Sequence, residues 1–338
     1  MKREKKIKFR PALLWEKERK GIRCLACARK CLIKENSLGF CLVRLNLKNK
    51  LYTLNFGKII SLDVDPVEKL HLFHFLPGSK TLSITILGDN ISPSEDIFQE
   101  EFKVKGKEYT PERVAEIAKK KKCKSVTFVG VEPATYFEFA FRTAKFARRL
   151  GLKSIFVTNG LVSVEAIKKL AKYIDVFLVN IKASLSPSYY TNFEGINVKP
   201  IFRALKQIGK SRAHLEIVNK VIPQVGDDIE QARKLASWIS SKLDSSIPLH
   251  FVRFFPDEKF PELPATPLET LEKCIDVARR AGLRYVYIGD VPGHLDEDTY
   301  CFNCRELLID REFYRIKSNF LVNGRCPKCG IKIEIIEE

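Results

Sequence analysis

From Thr81 to Asp290 the chain alternates short β-branched runs with longer amphipathic ones, and that alternation leaves few folds open. Strands are expected at 81–87, 125–130, 153–158, 175–180, 213–219, 248–254 and 284–288, with helices near 111–121, 136–149, 163–172, 198–209, 228–241 and 266–281. Strand then helix, repeated six times, requires parallel strands joined by right-handed crossovers, so the class is α/β. Polar residues or glycines recur at the C-terminal ends of these strands: Gly88, Glu132, Asn159, Asn180 with Lys182, Asn219, Arg253 and Gly289-Asp290. In a full or partial (β/α) barrel they converge on one mouth, where barrel active sites sit.

Two cysteine units flank this region. Cys24, Cys27, Cys31 and Cys41 lie close together in a loop-rich segment with little core of its own, and four thiolates there suit one Zn(II) or an iron–sulfur cluster. Near the other end, Cys301-x2-Cys304 and Cys326-x2-Cys329 form two knuckles bracketing a β-like stretch, the pattern of a zinc ribbon whose metal folds the segment. The expected organisation is therefore a four-cysteine metal-binding unit at 1–50, a short β and aromatic linker at 51–80, the barrel at 81–292 and a ribbon at 293–338. Cys123 and Cys274 stand alone and are expected to pack as small buried hydrophobes. His71 and His74, in the linker, are expected to serve packing and hydrogen bonding, since no Asp, Glu or Cys accompanies them at ligand spacing.

Composition limits the function classes. No apolar run approaches the roughly 18 residues of a membrane span, and metal-type cysteine spacing fits a reducing compartment, so a cytoplasmic protein without a membrane role is expected. Lys and Arg outnumber Asp and Glu by 59 to 41, a net charge of +18, with basic clusters at residues 2–10 and 119–124. Such an excess reads either as the solvated surface of a heat-adapted protein or as a nucleic-acid-binding patch.

The strand ends carry a more specific message. Val131-Glu132-Pro133, Val157-Thr158-Asn159-Gly160, Asn180-Ile181-Lys182, Val221-Ile222-Pro223, His250-Phe251-Val252-Arg253-Phe254 and the run from Arg284 to His294 occur in order. With the N-terminal cysteine unit, the HFLPGSK segment and the C-terminal ribbon, they make the chain resemble the radical S-adenosylmethionine (SAM) superfamily over nearly its full length. The resemblance is to the pyruvate formate-lyase-activating-enzyme-like proteins called AmmeMemoRadiSam radical SAM enzymes.

The resemblance implies a Cys-x3-Cys-x2-Cys loop after the first barrel strand, holding a [4Fe–4S] cluster that reductively cleaves SAM. Here the three cysteine positions are Asp89, Pro93 and Asp96. Carboxylates are hard ligands poorly matched to such a cluster, and proline is no ligand. By the same resemblance Glu132 receives the SAM amino group, Asn159 lines the cofactor and Lys182 contacts its carboxylate. These groups form either a residual pocket for SAM or a nucleotide, or an internally satisfied polar cluster. Arg253 is expected to bind an anion, to cap local carbonyls or to pair with Asp257. Asp89, Glu95 and Asp96 are expected to form a solvated acidic loop rather than a Mg(II) or Ca(II) site. Three functions follow: a pseudoenzyme acting on a protein partner, an active SAM or iron–sulfur enzyme, and a nucleic-acid-binding zinc protein.

Overall fold

The computed structural model describes residues 9–100 and 102–337; most of the basic cluster at 2–10 lies outside the described residues. Its centre is a nine-stranded sheet. We number the strands β1 (Lys58–Pro66), β2 (Lys80–Ile86), β3 (Ser125–Gly130), β4 (Lys153–Thr158), β5 (Val176–Lys182), β6 (His214–Val221), β7 (Leu249–Arg253) and β8 (Val286–Gly289). From β2 to β8 every neighbouring pair is parallel and in sequence order. The crossovers are α1 (Pro111–Lys120), α2 (Phe137–Arg149), α3 (Val164–Leu170), α4 (Pro187–Phe193), α5 (Lys199–Gly209), α6 (Ile229–Lys242) and α7 (Leu268–Arg280). No ladder joins β8 back to β2 among the described residues, so the architecture is a partial (β/α) barrel.

Local chemistry explains where these helices start. Thr110 Oγ1 accepts from the Arg113 N–H at 3.2 Å ahead of Pro111, and Ser163 Oγ accepts from the Ala166 N–H at 2.9 Å. Asp228 does the same for α6, taking the N–H groups of Glu230 and Gln231. Strand residues then divide by alternation. Val126 and Phe128 join the large core beneath the helices, while Ile155, Val157, Val176, Leu178, Val218 and Val252 make a second core inside the barrel.

Of the stretch expected as a linker at 51–80, Leu51–Thr53 belongs to the N-terminal sheet, paired with Arg44–Leu47, and the part from Lys58 on is built into the barrel. Strand β1 pairs antiparallel with β2 along most of its length, and Lys107–Glu108 pairs with β1 beyond it. The short runs at 51–66 read equally well as a hairpin or an edge; the long-range ladder to β2 decides between them. Residues 67–76 then enter the barrel, where Val67, Leu72, Phe75 and Leu76 complete the inner core. This plug is fastened by Glu216 on β6, whose carboxylate accepts the Phe73 N–H at 3.1 Å and the His74 N–H at 2.8 Å. His214 and His250 contact the same carboxylate at 2.9 and 2.8 Å.

Both cysteine units dock on this frame. The N-terminal one sits on the turn between β4 and α3: the Ala28 N–H bonds the Leu161 carbonyl at 2.7 Å and Lys30 pairs with Glu165 at 2.7 Å. Beneath it Arg44 and Glu138 form a fully buried ion pair at 2.7 Å. The C-terminal ribbon, with strands Leu307–Glu312 and Arg315–Asn319, packs on the plug and on β8 through Phe73, Tyr285, Tyr287, Leu308 and Ile333. Cys123 and Cys274 are buried, as expected of isolated thiols. Among the described residues no helix is long and apolar enough to cross a membrane.

Candidate functional site

At the C-terminal ends of the parallel strands lies a cleft of about 480 Å³. Its walls are Val131, Val157, Ile181, Val218 and Val252, and its polar groups are Asp89, Asn159, Asn180, Lys182, Lys220, Lys259, Glu194, His71 and Asp290. Of the residues singled out in the sequence, Asp89, Asn159, Asn180, Lys182 and Asp290 reach this cleft. Asn159 is set by its own loop: its side-chain amide donates to Asn90 Oδ1 at 2.8 Å and its Oδ1 accepts from the Leu161 N–H at 2.9 Å. Lys182 Nζ lies 3.0 Å from Glu194 Oε1, as does Lys259 Nζ. Burial alone would raise Glu194, but the two lysines outweigh it and hold the carboxyl below its usual range.

Glu132 is placed differently from what the resemblance implies. It is fully buried behind the cleft wall and both carboxylate oxygens are engaged. They accept from the Ala134 N–H at 2.9 Å, the Asn159 N–H at 2.9 Å and Thr158 Oγ1 at 2.9 and 3.1 Å. Burial, with Asp89 adding like charge, pushes its pKa up to about 7. In this arrangement the carboxylate orders its own loop. Arg253 also lies off the cleft: its Nε donates to the Thr266 carbonyl at 2.8 Å, the local capping role.

The loop after β2 holds no thiolate and no convergent ligand set. Asp89 Oδ1 accepts its own chain's Ile91 N–H at 2.6 Å, while Asp96 is exposed and bonds Ser94. Pro93 lies half-buried between them. Among the described residues only Cys301, Cys304, Cys326 and Cys329 bring their ligand atoms all within 4.8 Å of one another, and these four could hold a metal ion. Cys24, Cys27 and Cys41 are buried and Cys31 half-buried, near enough to one another that burial first and the neighbouring sulfurs second push the Cys27 thiol up. Their sulfurs are more widely spread than those of the ribbon.

Sequence reasoning passed over His71, Lys220, Lys259 and Glu194 as site residues. Lys220 carried a usable signal: it follows Glu216 and Val218 at two-residue steps on one face of β6, beside the flagged Asn219. His71 carried none, because its partner Asp290 is 219 residues away.

Residues 90–236 match the radical SAM superfamily. An uncharacterized protein of Methanocaldococcus jannaschii is 35% identical over 339 residues, covering 97% of this chain and all of that one. Among solved structures, a domain of a pyruvate-formate lyase-activating enzyme from Bacteroides vulgatus is similar at 19% identity and TM-score 0.43, over 49% of this chain and 98% of that one. A radical SAM methyltransferase from Sphaerobacter thermophilus is similar at 14% identity and TM-score 0.48, over 65% and 70%. With a relative matched end to end and the superfamily's own match lying across β3 to β6, the chain belongs to the radical SAM superfamily.

Proposed function

We propose that this radical SAM protein has lost cluster-dependent reductive cleavage of SAM and acts as a pseudoenzyme on a protein partner, in a partner or regulatory role. The observation that carries the reading is the loop after β2, where Asp89, Pro93 and Asp96 occupy the three cluster positions. Asp89 is turned onto its own backbone and Asp96 faces solvent. Soft iron–sulfur centres are held by thiolates, and two divergent carboxylates offer neither the softness nor the convergence. The cleft then serves binding rather than radical generation.

The two cysteine units fit structural metals in this reading. In the ribbon, Cys301 and Cys329 are 3.6 Å apart, as are Cys304 and Cys326. A Zn(II) tetrahedron with bonds of about 2.3 Å has edges of about 3.8 Å, so a single ion fits. A cubane, taking one thiolate at each of four irons, spreads its sulfurs further. The N-terminal four suit zinc or an iron–sulfur centre.

One observation favours a second reading, an enzyme that still uses SAM or recruits a cluster through its N-terminal cysteines. Arg29, between Cys27 and Cys31, donates to the Asn90 carbonyl, so this unit touches the loop at the cleft. The nucleic-acid reading draws on the net charge and on an outer groove of about 780 Å³ whose lining includes Arg10, Arg142, Lys145 and Arg149 beside Phe56. Salt-sensitive affinity for RNA or DNA tests it.

Anaerobic reconstitution followed by zinc, iron and sulfide analysis, with 5′-deoxyadenosine assayed under reductant, separates the first two. The expected result is about two zinc per chain, negligible sulfide and no 5′-deoxyadenosine. Four iron and four sulfide with turnover of SAM would overturn the proposal.

A further inference from the structure

The floor of the cleft holds an arrangement that the superfamily's cluster chemistry does not need. His71 Nε2 and Asp290 Oδ1 are 3.1 Å apart, and the Tyr314 hydroxyl donates to the same Asp290 oxygen at 3.0 Å. Both His71 and Asp290 have left-handed backbones, with φ of 58° and 61°, a conformation that costs a non-glycine residue on the order of 1 kcal/mol or more. The neighbouring residue is fitted to the pair. A Cβ on Gly289 would lie 2.6 Å from both His71 Cδ2 and Nε2, so only glycine lets the imidazole approach β8 this closely.

With Nε2–H donating to Asp290, Nδ1 of His71 keeps its lone pair. It makes no hydrogen bond among the described residues and is not among the buried unpartnered atoms, so solvent in the cleft reaches it. Lys220 lines the same cleft, half-buried, with no hydrogen bond or ion pair among the described residues. Lys182 and Lys259 differ from it, since both are matched to Glu194. A half-buried ammonium that faces the Asp290 carboxylate without a hydrogen bond or ion pair to it is the group in this cleft that an anion would satisfy.

We propose that Lys220 and the His71–Asp290 pair form an anion-binding, acid–base centre, in which Lys220 holds the carboxylate or phosphate of a small ligand and His71 Nδ1 exchanges a proton with it. In the forward direction one ligand or water O–H bond breaks as one N–H bond forms on Nδ1. The imidazolium is then held against the Asp290 carboxylate, and the N–H bond breaks as the proton returns to the same oxygen. No oxidant or reductant takes part. The proposal rests on the reading that the cleft works without a cluster.

The charged and titratable groups around His71 are Asp290 on the turn after β8, Lys220 on β6, His250 on β7 with ring centroids 6.3 Å away, and Tyr314 and Glu297 from the ribbon side. With five histidines in the chain, their ring nitrogens can be followed individually by long-range proton–nitrogen NMR of the metal-loaded, full-length protein. Inorganic phosphate and acetate are titrated separately. Saturable shifts of the His71 ring with either probe are expected, and the probe that saturates identifies the anion class. Lys220→Met should weaken that binding at least tenfold. Gly289→Ala, which displaces the ring, should abolish the His71 response while near-unchanged resonances from the buried His74 report an intact fold. A silent His71 with both probes, or unchanged binding in Lys220→Met, overturns the proposal. Formation of 5′-deoxyadenosine in the separate assay would sink the cluster-free reading alone, because the anion titration uses neither SAM nor reductant.

Discussion

Cys326→Ala is expected to abolish metal binding by the ribbon's four cysteines, unfold residues 299–336 and lower the main unfolding transition of the whole protein. The ribbon owns few buried apolar groups, chiefly Leu308, Ile309 and Ile333 beside its cysteines. A four-thiolate zinc site contributes about 10–16 kcal/mol to the folding of isolated finger peptides, far more than such a core supplies. Within the site the Ile331 N–H and the Asn303 side chain hold the Cys329 thiol below its usual range, while Cys301 and Cys304 are raised. The damage should spread, because the ribbon is bonded to the plug. The Leu76 N–H bonds the Ile336 carbonyl at 2.6 Å and the Ile336 N–H bonds the His74 carbonyl at 2.9 Å. Arg311 adds hydrogen bonds to the Phe73 and Glu297 carbonyls and to Thr299. Metal release can be read with a chelating dye and amide exchange by mass spectrometry. Protection of 307–319 that survives loss of the metal would contradict the expectation.

The ribbon was legible because its information is local: each Cys-x2-Cys knuckle carries its geometry in four residues. The parallel strands were legible for a related reason. Runs such as Ser125–Gly130 and Lys153–Thr158 are continuous in β-branched and aromatic residues and sit between amphipathic helices, so both boundaries are marked in the chain. What escaped depends on contacts between distant residues. Strand β1 shows only alternation, which suits a hairpin as well as an antiparallel edge. Glu216 looked like an ordinary polar residue in a strand, yet it meets backbone groups 142 and 143 residues away. Glu132 was legible as a polar strand-end residue, but its bonds from Thr158 and the Asn159 N–H were not, because they join the ends of two different strands. The absence of cysteine from the loop after β2, by contrast, could be read directly, because it depends on residue identity alone.

The same buried network makes Glu216→Leu the most damaging single change in the barrel. It leaves the Phe73 and His74 N–H groups and two imidazoles without their acceptor. At about 1–3 kcal/mol for each orphaned donor the loss should reach about 4 kcal/mol or more. The network also predicts how stability depends on acidity. Burial pushes the pKa of His74 down to about 3 and lowers that of His250, while Glu216, despite its burial, is held far below its usual range by His214 and His250. For His74 the unfolded chain takes up a proton near pH 6.5 and the folded one only near pH 3, so stability present above pH 6.5 is lost as pH falls, with a slope of about 1.4 kcal/mol per pH unit between those values; His250, also lowered by burial, adds to it with the same sign. Glu216 joins below about pH 4.3 with the same sign. Glu132 opposes them: with its folded value raised to about 7, it loses stability as pH rises through about 4.3 to 7 and so cancels roughly one histidine's slope in that window. A single curve therefore cannot isolate the network, but a difference curve can. His74→Phe removes the Nδ1 contact with the Glu334 carbonyl at 2.8 Å and the Nε2 contact with Tyr287 at 2.6 Å, which costs stability at pH 8. Its deficit relative to the wild type should then shrink by about 1.4 kcal/mol per unit as pH falls from about 6.5 toward 4, measured by urea unfolding. A deficit constant with pH would mean that His74 takes up its proton in the fold as it does in the unfolded chain, with Nε2–H then donating to Tyr287 and Tyr287 to Thr299, while Arg311 still donates to Thr299.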